Sequence, residues 1–481
     1  MKFNHKIKPL ALFLSVIYTQ CAMASGYHFG TQSVTAQSTA NAAAAEADNA
    51  STIFSNPAGL AYLDKNQVTA TLNLVMPTIK YSNAKAYYYQ GSEVSGKDNG
   101  KITKDAVFAP HAYGAYKLND RTTLGLGIYI PFASQTEYSK DSKLRYNFNK
   151  LGLTTVDIEP SIAFKVTPKH SIGAGLIAQY SKAELRKYSD WSARYTDTQL
   201  AALRAAGRIP TTDRAAFDGH AEAKGDDWAF GYHIGWLYEP NERIRVGAAY
   251  RSKVEHKLHG TTEWKADGAI AQQLYPSSIS QPVSILSDGS VNPNGGKGYL
   301  PSENASIKLI TPESASVHGM YKATDKLNIF GDVTWTRHSR FNEASLVFDN
   351  QKATISSQLS NSNTIKPKWR DTYKVALGGS YQLSEPLQLR AGVAFDKSPV
   401  KNAKTRMHTM PDGNRMWYSV GLKYDFKKGH SLDMAYSHIH INDTRFEAEA
   451  APGNDVDSKG ATSAKFNNYA NILGIQYTYK F

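Results

Sequence analysis

Residues 473–481, LGIQYTYKF, end the sequence with a strict alternation of side-chain character. One set of alternate positions is apolar or aromatic, and the positions between them are mostly polar. Because successive side chains of a β-strand point to opposite faces, this spacing predicts a strand with one apolar and one polar face. The apolar set comprises Leu473, Ile475, Tyr477, Tyr479 and Phe481, and the polar set comprises Gln476, Thr478 and Lys480.

The same alternation recurs upstream, in residues 244–251 and 387–396. In the second of these segments the apolar residues share one face, and the other face carries Arg390 and Asp396. Contact between charged side chains and lipid costs free energy, so we expect the charged face to line a lumen while the apolar face contacts a membrane. A soluble barrel with the apolar set inside is the alternative, and it would seldom need the number of strands predicted here.

The strand pattern begins at Gln67 and continues to the C-terminus, with short turns alternating with long loops. Six short and seven long connections join fourteen strands, and an even count returns the chain to the side where it began. The sequence therefore predicts an all-β fold, a 14-stranded antiparallel transmembrane β-barrel. Short connections are expected near 118–121, 167–170, 239–242, 323–326, 383–386 and 427–430, and long ones near 82–105, 139–153, 190–226, 260–304, 349–368, 397–413 and 443–464.

The composition excludes a helical membrane protein. The chain is 41% hydrophobic with a mean hydropathy of −0.45, and no run of 18 apolar residues follows the first 24. Its 29 tyrosines and 35 glycines suit a barrel with aromatic girdles at its rims. The net charge of +13 is dispersed rather than gathered on one helix, so we expect no nucleic-acid partner. Outer-membrane lipid and polyanionic lipopolysaccharide are the expected neighbours.

Residues 1–24 have the pattern of a secretory signal peptide. A basic start with Lys2, Lys6 and Lys8 precedes an apolar centre at 10–18 and small residues at 22–24. The alternative, an anchoring helix, would need a longer apolar run. Cys21 is the only cysteine, so the mature chain is expected to contain none, as suits an oxidising compartment.

The aromatic C-terminus adds to this localisation. A final barrel strand that ends in Phe481 resembles the sorting signal read by the barrel assembly machinery, which is therefore an expected partner. Any amphipathic edge strand could also end in phenylalanine. Together with the signal peptide and fourteen strands, the pattern predicts a multi-pass β-barrel of the bacterial outer membrane.

Residues 49–63, NASTIFSNPAGLAYL, immediately precede the first strand. Asn56 can cap a turn through its side chain, Pro57 fixes φ and Gly59 permits positive φ. Read locally this is an ordinary surface turn. It lies, however, between a segment rich in alanine and other small residues and the first strand. This context predicts a hatch at residues 25–65 that plugs the lumen of a barrel at residues 66–481.

Candidate chemistry is sparse. His438 and His440 share one face of a strand near Asp433 and Asp443, so a metal pair is geometrically possible, but no third ligand can be named. No catalytic serine elbow, phosphate loop or paired-cysteine motif is present. We therefore expect no enzyme activity, no catalytic residue, no metal site and no cofactor.

Two further features interrupt the strand pattern. Residues 198–207 predict an amphipathic helix, which would either offer an apolar surface to a lipid or pack on a neighbouring loop. Pro131 and Phe132 follow the third strand, where a proline removes a ladder donor. This position predicts either a kink, and with it a lateral opening in the wall, or an early end of the strand.

Several of these segments together resemble the FadL family of outer-membrane long-chain fatty acid transporters (OmpP1/FadL/TodX). The resemblance spans nearly the whole mature chain. It implies a hatch that contains Asn56, Pro57 and Ala58, a groove built from the loops at 190–226 and 260–304, and a side hole at Pro131 and Phe132. The segments that carry it are Asn56-Pro57-Ala58, WAFGY at 228–232, AYRSKV at 249–254, FDKSPV at 395–400 and MPDGNRMW at 410–417.

The resemblance also implies ligand-binding residues. A basic residue that contacts the ligand head group aligns with Lys187, beside Arg186; the alternative is a merely solvated charge near a loop. A second basic residue of the family aligns with Ser345, and Arg337 and Arg340 are the candidates to compensate.

The functional expectation is passive uptake of long-chain fatty acids or similar hydrophobic molecules, which move from an extracellular groove to an inner pocket and out through the wall. An aromatic-hydrocarbon channel of the same family is one alternative. A surface adhesin or structural protein that uses its loops is another, and an outer-membrane lipid hydrolase is a third.

Overall fold

The computed structural model describes residues 28–89, 91–193, 195–274, 302–353, 359–450 and 459–481. The predicted signal peptide and residues 275–301 of the predicted loop at 260–304 lie outside the described residues. Within those ranges, no helix combines the length and the apolar character needed to cross a membrane.

Twenty β-strands and several short helices form the described structure. The strands are β1 (Gln67–Ala86), β2 (Gly100–Lys101), β3 (Val107–Lys117), β4 (Thr122–Tyr129), β5 (Ala133–Glu137), β6 (Phe148–Thr167), β7 (His170–Asp190), β8 (Asp218–Asn241), β9 (Ile244–Arg251), β10 (Val254–Ala266), β11 (Ser302–Thr311), β12 (Ser314–Lys322), β13 (Leu327–Thr336), β14 (Ala344–Ala353), β15 (Leu359–Ile365), β16 (Thr372–Ser384), β17 (Leu387–Asp396), β18 (Arg415–Asp425), β19 (His430–Ala448) and β20 (Thr462–Lys480). The α-helices are Val34–Ser38, Thr52–Ser55, Asp197–Ala205 and Ala269–Leu274, with 3₁₀ turns at Ala43–Ala45, Pro57–Tyr62, Arg214–Phe217, His338–Arg340, Ala403–Thr405 and Lys427–Gly429.

These strands form a closed antiparallel barrel. β1 pairs with β3 on one side and with β20 on the other, so that Ala70 lies opposite both Ala112 and Tyr477. Five barrel strands are interrupted once each and appear as the pairs β4/β5, β9/β10, β11/β12, β13/β14 and β15/β16. β2 is a short addition to β1. Counting each interrupted strand once gives fourteen, which confirms the predicted barrel.

Strand boundaries at the long-loop end differ from the prediction. β1 continues to Ala86 and β8 begins at Asp218, so both extend into regions predicted to be loops. Their polar residues lack the apolar alternation of the lipid-facing part because the strands there project past the membrane, where either face tolerates polar side chains. The short turns lie where the sequence predicts them.

The two faces of the strands have the predicted orientation. On β20, Leu473 and Ile475 are 47% and 44% exposed, whereas Gln476 is fully buried. On β17, Leu389 is 41% exposed on the outer face and Arg390 is buried in the lumen. The apolar face therefore points outward, which excludes the soluble barrel with an apolar interior.

The N-terminal segment, residues 28–66, lies inside the barrel and contacts opposite walls. Thr39 packs on Gly392 of β17, and Pro57 and Ala58 pack on Gly173 of β7. A Cβ atom at Gly173 would overlap the backbone of Pro57 and Ala58, so this close approach requires glycine.

Candidate functional site

A cavity of about 190 Å³, here called the outer cavity, opens at the long-loop end of the lumen. Elements from across the barrel line it: the start of β6, β7, the end of β15, the loop between β17 and β18, and β19. None of the described residues that line it is acidic, and six are basic or imidazole side chains. They are Lys187, Lys366, Lys404, Arg406, His408 and Lys459.

Lys187 is 8% exposed and faces this cavity from β7. Arg186 does not line it: its guanidinium donates to Asn149 Oδ1 at 2.9 Å and to Glu137 Oε1 at 2.7 Å. Side chains of adjacent strand residues point apart, which separates the two. Of this predicted pair, Lys187 lines the outer cavity and Arg186 does not.

Two other cations of the outer cavity, Lys404 and Lys366, form exposed ion pairs. Lys404 pairs with Glu449 at 3.0 Å and Lys366 with Glu343 at 3.7 Å, and all four side chains are at least half exposed. Such exposed pairs are weak. Arg406 donates to the carbonyl oxygen of Asp412 at 3.1 Å, and burial lowers the pKa of its guanidinium from the ordinary value. An anion in this cavity would find positive charge on several sides.

Beneath the outer cavity lies a set of buried apolar side chains, here called the lumen cluster. Met407 belongs both to this cluster and to the wall of the outer cavity. Every member is at most 9% exposed. Its members are Phe132, Leu151, Leu153, Leu258, Leu309, Phe341, Ala344, Trp369, Val400, Met407 and Met410. An apolar lumen layer below a basic mouth suits a molecule with a charged head and an apolar tail.

A second cavity of about 160 Å³, here called the inner cavity, lies between the N-terminal segment and the wall. Phe132 belongs both to its wall and to the lumen cluster, so the apolar layer extends from one cavity to the other. Hydroxyl groups of Thr334, Thr336 and Thr372 line it beside Lys374. The inner cavity therefore contains polar groups among mainly apolar ones, in contrast to the apolar cluster above it.

The third barrel strand breaks beside the inner cavity. β4 ends at Tyr129 and β5 resumes at Ala133, with Pro131 and Phe132 between them. Phe132 donates its N–H to Thr155 Oγ1 at 3.1 Å instead of to a ladder carbonyl. Because β5 continues to pair with β6, the strand is interrupted at Pro131 and Phe132 and resumes after them, and the lateral opening expected there stays a prediction.

The N-terminal segment covers this break. Phe29 donates its N–H to the carbonyl oxygen of Pro131 at 2.7 Å, and His28 packs edge-on against Phe132 with ring centroids 5.3 Å apart. The side-chain amide of Gln32 donates to the carbonyl oxygen of Ile130 at 3.1 Å.

Asn56 holds the other end of the N-terminal segment. Its Oδ1 accepts the N–H of Ala58 at 3.0 Å, which shapes the Asn56-Pro57-Ala58 turn. Its Nδ2 lies 3.1 Å from the carbonyl oxygen of Trp236 and 2.9 Å from Nε2 of His318. This turn is buried against the wall and is not the surface turn that its local sequence permits.

Comparison with known proteins identifies the family. The family model for outer membrane transport proteins described as OMPP1/FadL/TodX matches residues 15–481. The chain belongs to this family. It is therefore an outer-membrane protein of a group that transports hydrophobic compounds and is not an enzyme.

Two relatives and two solved structures show the range of this similarity. NMB0088 of Neisseria meningitidis serogroup B, a chain named as an outer membrane protein, is 54% identical over 477 residues that cover 99% of both chains. A long-chain fatty acid transport protein of Escherichia coli O6:H1 is 26% identical over 475 residues, 98% of each chain. The fold matches a Pseudomonas aeruginosa FadL homologue with a TM-score of 0.80, at 24% identity over 95% of this chain and all of that one. It also matches the Pseudomonas putida toluene transporter TodX with a TM-score of 0.61, at 16% identity over 95% of this chain and all of that one.

Arg337 and Arg340 lie in the interruption between β13 and β14. Both pair with Glu313, Arg337 at 3.2 Å and Arg340 at 2.7 Å. Neither is among the described residues that line the two cavities. Ser345 shares a hydrogen bond of 2.8 Å with Thr364, which does line the outer cavity.

Lys366, two residues beyond Thr364, lines the outer cavity, whereas neither arginine does. Sequence reasoning missed it, together with Lys404, Arg406 and Lys459. Lys366, Lys459 and the pair Lys404 and Arg406 come from three loops or strand ends that are distant in sequence, so no local pattern marks them as neighbours.

The remaining predicted features have structural explanations. In the helix Asp197–Ala205, Leu200 is 1% exposed and packs with Phe217 and Ile270, so the helix covers neighbouring loops. His438 lies on the opposite side of β19 from the buried Asp433 and contacts Asn471. Within the described ranges, no group of three potential ligands is arranged to hold a metal ion.

Proposed function

We propose that this chain carries long-chain fatty acids, or amphipathic molecules like them, passively across the outer membrane. The observation that carries the proposal is the junction of the basic outer cavity and the apolar lumen cluster at Met407. A carboxylate fits the outer cavity and an alkyl chain fits the cluster.

The head group is bound by charge. Lys187 is buried at the cavity wall, where a carboxylate would be partly removed from water. Charge-assisted hydrogen bonds are stronger in such a site than at an exposed surface. Lys366, Lys404 and Arg406 add to the positive potential, so the presence of Ser345 where the family has a second basic residue does not remove anion selectivity.

The tail lies in the lumen cluster while the head group is bound in the outer cavity. Along β6, Phe148 lines the outer cavity, and Thr155, seven residues later, accepts the hydrogen bond from Phe132 at the break. At a rise of about 3.3 Å per residue these levels are roughly 23 Å apart along the strand. This separation suits a long alkyl chain rather than a small aromatic hydrocarbon.

Exit takes place through the wall at Pro131 and Phe132, and residues 25–65 act as the hatch. Ion pairs fix the middle of the hatch: Asp48 lies 2.9 Å from Lys423, and Glu46 and Asp48 each lie 3.3 Å from Arg390. The start of the hatch, which covers the break, has no ion pair within its described residues 28–33. We therefore expect this start to move while the middle stays fixed, with the ligand binding the two states unequally.

Binding of radiolabelled hexadecanoate to the detergent-purified mature protein tests this function. Lys187→Met should weaken binding by about tenfold or more, as expected for the loss of a charge-assisted hydrogen bond. Lys265→Met is the matched control, because Lys265 is 53% exposed and pairs with Glu263 away from both cavities.

Hexadecanol and toluene complete the experiment. Hexadecanol should bind wild type and Lys187→Met equally, since it has no carboxylate. Saturable binding of toluene alone would contradict the proposal and favour a hydrocarbon channel. Binding of none of the three would also contradict it and would favour a surface adhesin.

A further inference from the structure

Lys374 lies on β16 and faces the inner cavity, and the proposed path leaves it without a role. Its ammonium nitrogen lies 4.8 Å from the centroid of the Trp417 ring. Within the described part of the chain, no side chain or carbonyl oxygen makes a hydrogen bond or ion pair with it. A lysine ammonium inside a barrel is costly to leave without such a partner.

Two carboxylates lie near Lys374, but each is engaged elsewhere. Asp396 is its neighbour across the strand pair, and the Asp396 carboxylate lies 3.5 Å from Nη1 of Arg415. Asp332 accepts a hydrogen bond of 2.6 Å from Thr334 and lies 3.8 Å from His318. These acids attract Lys374 through space and leave its N–H donors available to a molecule in the cavity.

The inner cavity places polar side chains beside Lys374 within a lining that is mainly apolar. Thr334, Thr336 and Thr372 contribute hydroxyl groups to the same wall as Lys374. The cavity also contacts Pro131 and Phe132 at the break. A carboxylate here could accept hydrogen bonds from the Lys374 ammonium and from the Thr336 hydroxyl. The Thr334 hydroxyl already donates to Asp332, and the Thr372 hydroxyl pairs with His338.

We propose that Lys374 is a second carboxylate-binding residue of the transport path, so that the acid reaches the wall break with its head group first. This inference rests on the proposed function. It adds that the head group leaves the outer cavity, passes the lumen cluster and binds Lys374 beside the break. The apolar tail then occupies the lumen cluster or leaves through the wall into lipid.

Trp417 offers a local reporter, because bromine quenches tryptophan fluorescence at short range. The probes are 2-bromohexadecanoic acid, with bromine beside the carboxylate, and 16-bromohexadecanoic acid, with bromine at the far end. The fluorescence of the detergent-purified mature protein is titrated with each probe and with unbrominated hexadecanoic acid. The same titration of Trp417→Phe isolates the contribution of Trp417.

We expect the 2-bromo acid to quench a component that is absent in Trp417→Phe and at least halved in Lys374→Met. Lys374→Arg should restore that component, because arginine keeps the charge. The 16-bromo acid should quench Trp417 less. Circular dichroism confirms that each variant retains the barrel.

Four results would overturn the inference. Quenching of Trp417 by the 16-bromo acid alone would show tail-first entry. Equal quenching by the 2-bromo acid in wild type and folded Lys374→Met would remove the role of the lysine. Absence of Trp417 quenching with either probe, while hexadecanoate still binds in a Lys187-dependent manner, would exclude the inner site but leave the proposed function intact. Loss of all saturable acid binding would overturn both.

Discussion

The backbone N–H of Phe29 donates a hydrogen bond to the carbonyl oxygen of Pro131 at 2.7 Å. This bond joins the start of the N-terminal segment to the only stretch of the third barrel strand that leaves the ladder within the described residues. The wall break is therefore covered from inside by the chain itself. A ligand that leaves through the break must first displace residues 28–32.

The Asn56-Pro57-Ala58 turn packs closely against β8 at Gly235. A Cβ atom at Gly235 would overlap Asn56 Oδ1, so Gly235→Ala should displace this turn from β8. Overpacking of this kind costs about 1–3 kcal/mol. Limited proteolysis should cleave residues 49–63 faster in this variant than in wild type.

Gly319→Ala is the control for that substitution, since the atom nearest to its Cβ would lie 3.7 Å away. Equal protection of residues 49–63 in Gly235→Ala and Gly319→Ala would show that the turn is not held where we place it.

The ion pairs of Asp48 anchor the middle of the hatch. Lys423→Met leaves the mostly buried Asp48 with Arg390 alone, and breaking a buried ion pair costs about 3–5 kcal/mol. Hydrogen exchange of the amides of residues 43–48 should therefore accelerate strongly in this variant.

Lys97→Met provides the comparison, because Lys97 and Asp141 form a pair whose side chains are 65% and 54% exposed. Exposed pairs contribute about 0–1 kcal/mol, so exchange in the hatch should not change. Unchanged exchange in Lys423→Met as well would mean that apolar packing, rather than charge, holds the hatch.

Several cations share the outer cavity, so their effects on binding should accumulate. Adding Lys366→Met to Lys187→Met should weaken hexadecanoate binding by about a further threefold to tenfold, because Lys366 lines the same cavity. Arg340→Met should have no such effect, since Arg340 pairs with Glu313 and does not line the cavity.

Competition between labelled and unlabelled hexadecanoate measures both variants. A larger loss of affinity in Arg340→Met than in Lys366→Met would indicate that the arginines form the second head-group site. It would contradict our assignment of the outer cavity as the place where the head group binds.

The barrel could be predicted because its signal is local. Alternation between the exposed Leu389 and the buried Arg390 is visible within one strand, and the period of two fixes both faces at once. Pro131 likewise carries its own conformational restriction. Such features depend on a few neighbouring residues.

The composition of the cavities could not be predicted because it depends on barrel closure. Lys187, Lys366 and Lys459 meet only because strands far apart in sequence face one lumen. The pairing of Arg340 with Glu313 requires interruptions of two adjacent strands at the same level. Alternation places Lys374 in the lumen but does not reveal that Asp332 and Asp396 are engaged by other groups.

The central claim is that ligand leaves through the wall break after the start of the hatch moves. His28 and Phe132 form an isolated bridge between the hatch and the break, so cysteines at both positions can form a disulfide that locks them together. Tyr87→Cys with Glu93→Cys gives a matched disulfide across an isolated bridge in a loop that lines neither cavity.

Uptake of radiolabelled hexadecanoate is measured in Gram-negative cells that lack their own fatty-acid transporter and carry each variant, before and after reduction. Oxidised His28→Cys/Phe132→Cys should reduce uptake to the level of cells without the protein, and reduction should restore it, while the loop disulfide has no effect. Undiminished uptake with the hatch disulfide fully formed would contradict exit through the wall break.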